Sequence, residues 1–305
     1  MKLDNKGYTE DQILKEYLLI VKKLNSNTTK LGIDILLEIK FGSQQKTTRY
    51  QLIVEALQFE IYLEKKSFAG EATKMKTMQK LQQLDLKSLD AKILPFAYSK
   101  NQELRREARF SHLHLSDNDP YRFLDEIKGD LTYWEEINLL KLLRIHNEKN
   151  KLSNLGKWIN YSHNTSLIVF LIKAAGFFEQ QDTKEVLSDK IESENFKVRA
   201  EVYTSLGKLH ATEYETRFMK EFFNEREECQ IAIVKSIGLM NTGKAVDFLR
   251  AACKDAKTTA LKKEIALVSF SYKSKYNLFH ELKTSQIGFD QTIFDHVETQ
   301  LIKFK

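Results

Sequence analysis

The feature that most constrains this chain is a segment that returns at a fixed interval. Residues 198–209, VRAEVYTSLGKL, are followed 31 positions later by residues 229–240, CQIAIVKSIGLM. Ser-Leu-Gly at 205–207 falls on Ser-Ile-Gly at 236–238, and the apolar positions coincide. A period of 20–50 residues signals an array of small supersecondary units, each too small to bury its own apolar face. Neighbouring units must cover one another, so the period dictates stacking.

The period runs in both directions. Stepping back 31 residues gives LIVFLIKAAGFF at 167–178, and a further 32 gives WEEINLLKLL at 134–143. A weaker copy is LRREARFSHL at 104–113, and the forward copy is LKKEIALV at 261–268. About six units therefore fill residues 86–272, with drift at both ends where capping units belong. Each unit reads as two helices. Val198, Val202, Leu206 and Leu209 form one helical face, and shorter amphipathic stretches at 216–223 and 245–252 supply the other helix. The expected fold is an all-α solenoid, a right-handed superhelix of antiparallel helix pairs.

Composition agrees with helix throughout. Two prolines and 11 glycines in 305 residues leave few breakers, and no strand-like alternation with hairpin turns is found. Residues 1–85 are helical in pattern but carry no clean repeat, with helices expected near 28–40, 47–65 and 70–84. An earlier helix opens on Thr9-Glu10-Asp11-Gln12, which has the spacing of a capping box. Residues 273–305 read as a capping segment whose closing helix covers the stretch from Asp295 to Ile302.

Charge and motif content exclude several function classes. Residues 1–100 carry 17 Lys/Arg against 12 Asp/Glu, net +5; residues 101–250 carry 22 against 24, net −2; residues 251–305 carry 9 against 6, net +3. A nucleic-acid groove would concentrate the positive charge on the repeats, so no specific nucleic acid is expected. Cys229 and Cys253 lack CxxC spacing and read as buried free thiols in a reducing compartment. His112 and His114 point about 200° apart on a helix and suit no shared metal. Glu135-Glu136 and Glu227-Glu228 sit at helix starts, where the dipole favours negative charge. Trp134 and Trp158 read as core. No Walker loop, GxGxxG, GxSxG or HExxH occurs, so no catalytic residue, cofactor or metal ligand is assigned.

The unit centred on 197–209, with Val198-Arg199-Ala200-Glu201-Val202 and Ser205-Leu206-Gly207, resembles the short HEAT-like repeat of phycobilin lyases. It departs where the family has Asp-Pro-Asp before this helix; here the turn is Ser193-Glu194-Asn195-Phe196. Arg199 has Ile168 and Gln230 at the equivalent places, so the resemblance does not carry over an inter-repeat Asp–Arg ladder. Stretches at 101–108, 131–140 and 156–160 are similar to bacterial HEAT-repeat proteins that carry an N-terminal transmembrane anchor and are often encoded beside a glycosyltransferase. That likeness implies a role in an envelope system. The longest early apolar run, at 17–21, is far below the ~20 residues of a membrane span, so this chain is read as cytoplasmic, or as held at the inner membrane face by an anchor outside it.

With Val198, Val202, Leu206 and Leu209 on the core, positions 201, 204 and 208 look away from it. The repeat offsets carry position 204 to Lys141, Lys173, Lys235 and Ala266, position 208 to Ile145, Phe177, Leu239 and Phe270, and position 201 to Asn138, Phe170, Ala232 and Lys263. Lys141, Ile145, Phe170, Lys173, Phe177, Thr204, Lys208, Lys235 and Leu239 then make a candidate strip for a protein partner offering an acidic and apolar segment. The leading expectation is a non-enzymatic scaffold. The alternative is an enzyme or nucleic-acid binder on the same fold, as in alkylpurine DNA glycosylases and bilin lyases.

Overall fold

The computed structural model describes residues 25–42, 70–116, 129–149, 152–272 and 277–303, together with Gln12, Lys15, Tyr62, Leu63, Lys65, Leu124 and Ile127. Every element among the described residues is helical, so the all-α expectation holds. The chain divides into two compact units, Met1–Phe123 and Leu124–Lys305. The sequence boundary near residue 85 falls inside the first.

The first unit contains α1 (Ser26–Gly42), α2 (Glu71–Leu84), α3 (Asp90–Ile93) and α4 (Gln102–Leu115), and short 3₁₀ turns lie between α2 and α3 and between α3 and α4. The helices expected at 28–40 and 70–84 correspond to α1 and α2. The capping box at Thr9 and most of the helix expected at 47–65 lie outside the described residues. Pro95 opens the 3₁₀ turn Leu94–Tyr98, where its missing N–H costs nothing. Ile33, Met78, Leu81, Leu84, Ile93 and Leu104 share one core. Gln82 bridges α2 to α4 by donating to Ser111 Oγ and Glu107.

The second unit alternates long and short helices. The long ones are α5 (Tyr133–Glu148), α7 (Thr165–Phe177), α9 (Phe196–Lys208), α11 (Glu227–Met240), α13 (Thr259–Ser271) and α15 (Phe289–Lys303). The short ones are α6 (Gly156–Tyr161), α8 (Lys184–Asp189), α10 (Glu215–Glu221), α12 (Val246–Asp255) and α14 (Leu278–Thr284). From α7 to α15 each long helix packs on the next long helix, and each short helix packs on the long helix that follows it. Val198, Val202, Leu206 and Leu209 are all buried.

N-caps set the period. Asn101, Thr132, Asn164, Asn195, Arg226 and Thr258 precede α4, α5, α7, α9, α11 and α13, at intervals of 31 or 32 residues. All but Arg226 accept a backbone N–H through the side chain, which satisfies a donor the helix cannot. Thr132 and Glu135 complete a capping box. Ser99, Ser162 and Ser193 stand two residues before three of these caps, and each accepts the cap's N–H. The same Ser-x-Asn turn is thus built three times. At the other end, Glu179, His210 and Asn241 take left-handed backbone just past α7, α9 and α11. That conformation disfavours residues with a Cβ.

The repeated Ser-x-Gly motif makes a close interhelix contact. A Cβ at Gly207 would lie 2.7 Å from Ser236 Cα, and one at Gly176 would lie 2.7 Å from Ser205 Oγ. Ser205 Oγ donates across the seam to Ile172 O at 3.0 Å, and Ser236 Oγ donates to Tyr203 O. Backbone therefore meets backbone at α7/α9 and α9/α11, and a small residue is required on each side. The last described helix is α15. Its inner side buries Ile293, Phe294 and Val297, while Thr292, Asp295, His296, Thr299 and Gln300 face solvent.

Candidate partner-binding face

Cap and twist together decide which side chains point outward from the long helices. The position nine residues after the cap holds Lys141, Lys173, Thr204 and Lys235; four residues further on are Ile145, Phe177, Lys208 and Leu239. Lys141, Lys173 and Lys235 are exposed, and Thr204, Lys208 and Ile145 are half-buried. Phe177 is 47% exposed and Leu239 43%. Phe177 meets Phe178 edge-on and lies under the Arg144 guanidinium.

Two parts of the expected strip are corrected. Phe170 is 4% exposed and belongs to the core, because it lies six residues after its cap, on the side turned toward the neighbouring helix. The outward position is one residue earlier, where Ile137, Val169, Ala200 and Ile231 stand. The last unit is also shifted. The Arg226-to-Thr258 interval is 32 residues, so the equivalents in α13 are Glu264, Leu267 and Ser271 rather than Lys263, Ala266 and Phe270.

Carboxylates thread the lysine row. Lys173 Nζ is 3.9 Å from Glu136, and Lys235 Nζ is 3.7 Å from Glu264. Both separations are long for direct hydrogen bonds. Burial pushes the Glu201 carboxyl above its usual range despite Lys208 and Lys173, and burial does the same to Glu264 despite Lys235. The face is thus two partly apolar rows flanking ammonium groups whose neighbouring carboxylates hold them loosely.

The opposite end of α9 carries a different cluster. Arg199 grips Glu225 with two bonds of 2.8 Å and donates to Ser193 O and Glu194 O. Tyr203 OH donates to the same carboxylate at 3.0 Å. Burial pushes Glu225 up, but the bonds from Arg199 and Tyr203 outweigh it and hold the carboxyl below its usual range. Here an inter-unit Arg–carboxylate pair exists after all, with Glu225 in the acidic role. Ile168 and Gln230 stand at the equivalent places in the adjacent units, but Arg105, four residues after its cap like Arg199, makes the same backbone contacts to Ser99 O and Lys100 O. A polar groove of about 380 Å³ lies above this cluster, lined by Glu192, Arg199, Arg217, Glu221 and Glu225 among others. Arg217 is tied to Glu192 at 3.1 Å and Arg199 is tied as above, so the groove's cations serve its own walls.

The remaining candidates are structural. Burial pushes the Cys229 thiol up to about 12 and Cys253 up to about 11, which keeps both protonated near neutral pH. His112 pairs with Asp90, and His114 lies 4.0 Å from Asp85. Among the described residues no group of three or more His, Cys, Asp or Glu side chains could hold a metal. Trp158 is buried as expected; Trp134 is not, being 66% exposed at the start of α5. No described helix is long and apolar enough to cross a membrane. No family model matches the chain, and no curated protein matches it.

Proposed function

We propose that this protein is a non-enzymatic scaffold, an α-solenoid of HEAT-like units with a right-handed superhelix, that holds a protein partner on the exposed face of its long helices. The observation that carries the reading is the coincidence of Phe177 and Leu239, both large, apolar and exposed, at one repeat position beside Lys173 and Lys235. Exposed apolar side chains recurring at one repeat position, on either side of Lys208, suit a covering partner. The alternation of short and long helices at the cap period supports the solenoid. The two free cysteines suit a reducing compartment such as the cytoplasm. Glu136, Glu201 and Glu264 beside the lysines weigh against a phosphate backbone as ligand.

Affinity capture tests this reading, comparing wild type, the double variant Phe177→Ser/Leu239→Ser, and Arg250→Met in the layer of short helices. Melting curves first establish that all three fold. A protein retained by wild type and Arg250→Met but lost by the double variant is the expected result. Capture that is identical for all three removes the face from consideration.

A further inference from the structure

The Arg199 cluster has a counterpart in the first unit, and the two differ in what closes them. Arg105 and Arg199 each stand four residues after an asparagine cap, behind the same Ser-x-Asn turn. Arg199 Nη1 donates to Ser193 O and Glu194 O at 2.7 and 3.1 Å. Arg105 Nη1 donates to Ser99 O and Lys100 O at 2.7 and 3.4 Å. These bonds fix each guanidinium by one end. The other edge of Arg199, Nε and Nη2, grips Glu225, 26 residues on. Lys262, at the same place on α13, pairs with Asp290, 28 residues on. The corresponding places after Arg105 hold Leu131 and Tyr133, and neither is acidic. Among the described residues, Nε and Nη2 of Arg105 have no hydrogen-bond or ion-pair partner.

The flanking positions differ in sign as well. Glu192 and Glu194, three residues and one residue before the Asn195 cap, line the groove at Arg199. Tyr98 and Lys100 hold those two places before Asn101, and both are exposed. The neighbouring acids of the first unit are engaged elsewhere. Glu71 accepts from Asn101 Nδ2 at 2.7 Å, and Glu107 accepts from the amides of Gln79 and Gln82. Glu103, two residues before Arg105, lies about 200° round the helix from it. An incoming anion is therefore repelled at Arg199 and attracted at Arg105.

We propose that Arg105 is a docking point for a protein partner's carboxylate, an Asp or Glu side chain that takes the place Glu225 takes at Arg199. A guanidinium already held by backbone carbonyls presents its fork without first having to be ordered, and two parallel bonds to a carboxylate fit that fork. The exposed Tyr98, one residue before the turn, offers apolar area to the chain that carries the carboxylate. Tyrosine and arginine are also the residue types that dominate interface energetics. The site belongs to the first unit and does not depend on the long-helix face of the second.

Fluorescence anisotropy with labelled peptides tests the site on the full chain. The probes are a Gly/Ser peptide carrying three Glu residues around a Leu, its Gln counterpart and its phosphoserine counterpart. Melting curves first establish that every variant folds. The Glu probe should bind wild type at least tenfold more tightly than the Gln probe. Arg105→Lys keeps the charge and loses the fork, and it should weaken binding at least fivefold. Lys100→Glu, which rebuilds the acidic position of Glu194, should do the same. Lys76→Gln removes an exposed charge from α2 and should change binding less than twofold. Four results each overturn the inference: an Arg105→Lys variant that binds as well as wild type, a loss in Lys76→Gln as large as in Arg105→Lys, binding of the phosphoserine probe with none of the Glu probe, or no binding of any probe.

Discussion

The seams α7/α9 and α9/α11 differ from α11/α13 in what touches what. In the first two, glycine meets serine and the backbones come together. In the third, Gly238 meets the side chain of Val268, with a Cβ 2.9 Å from a methyl group. The cap interval there is 32 residues, against 31 across α9/α11. Identity repeats where main chains are in contact, because only small residues fit. It drifts where side chains mediate, because several shapes fill the same gap.

The largest expected effect breaks or upholds that contrast directly. Gly207→Val should destabilise by about 3 kcal/mol or more, since its Cβ alone collides with Ser236 backbone. Gly238→Val should cost clearly less, because Val268 can change rotamer. Equal losses in denaturant titrations would end the distinction. Next comes the ionic part of the seams. Arg199→Met leaves Glu225 nearly buried without its cation and should cost about 2–3 kcal/mol, below the full figure for a buried pair because Arg199 is partly exposed. Arg250→Met, at the surface pair with Glu281, should change the melting temperature little.

A smaller effect separates seam from face by pH. Glu225 has a lowered carboxyl, so its stabilisation is present above the ordinary carboxylate range and is lost as pH falls through the depressed value. Glu201 has a raised one, so its charged form opposes folding at neutral pH, and the opposition fades as pH falls through the raised value. Glu201→Gln should therefore raise the melting temperature at pH 7, with the gain shrinking toward pH 4. A constant gain would contradict burial as the cause. The smallest effect belongs to the helix ends. His210→Gly and Glu179→Gly should each stabilise by roughly 0.5–1 kcal/mol, and Asn241→Gly by less, since asparagine tolerates left-handed backbone.

The long helices were legible because apolar spacing and period agreed: Val198, Val202, Leu206 and Leu209 are buried as read. The function of Ser-x-Gly was not, since a motif shows repetition but not the partner atom 33 residues away. Phe170 was misassigned because one position along a helix is 100° of rotation, and an apolar side chain is compatible with either side. A better ruler was present. The Ser-x-Asn turns at 99–101, 162–164 and 193–195 mark helix starts, and counting five residues from each cap gives Arg106, Val169 and Ala200, the outward position that Ile137 and Ile231 hold after the caps Thr132 and Arg226. The αL ends at Glu179 and His210 carried no such signal, because glycine is absent there.

The Ser205 tether to Ile172 spans 33 residues, and the Ser236 tether to Tyr203 spans the same distance. No seam of this kind waits for a distant part of the chain. Low contact order favours fast folding, and a nascent chain emerges at about 5–20 residues per second. A new unit is therefore completed every few seconds of synthesis, and it docks at once on the one before it. Translation and folding can advance in step, leaving only the most recent apolar face uncovered at any moment.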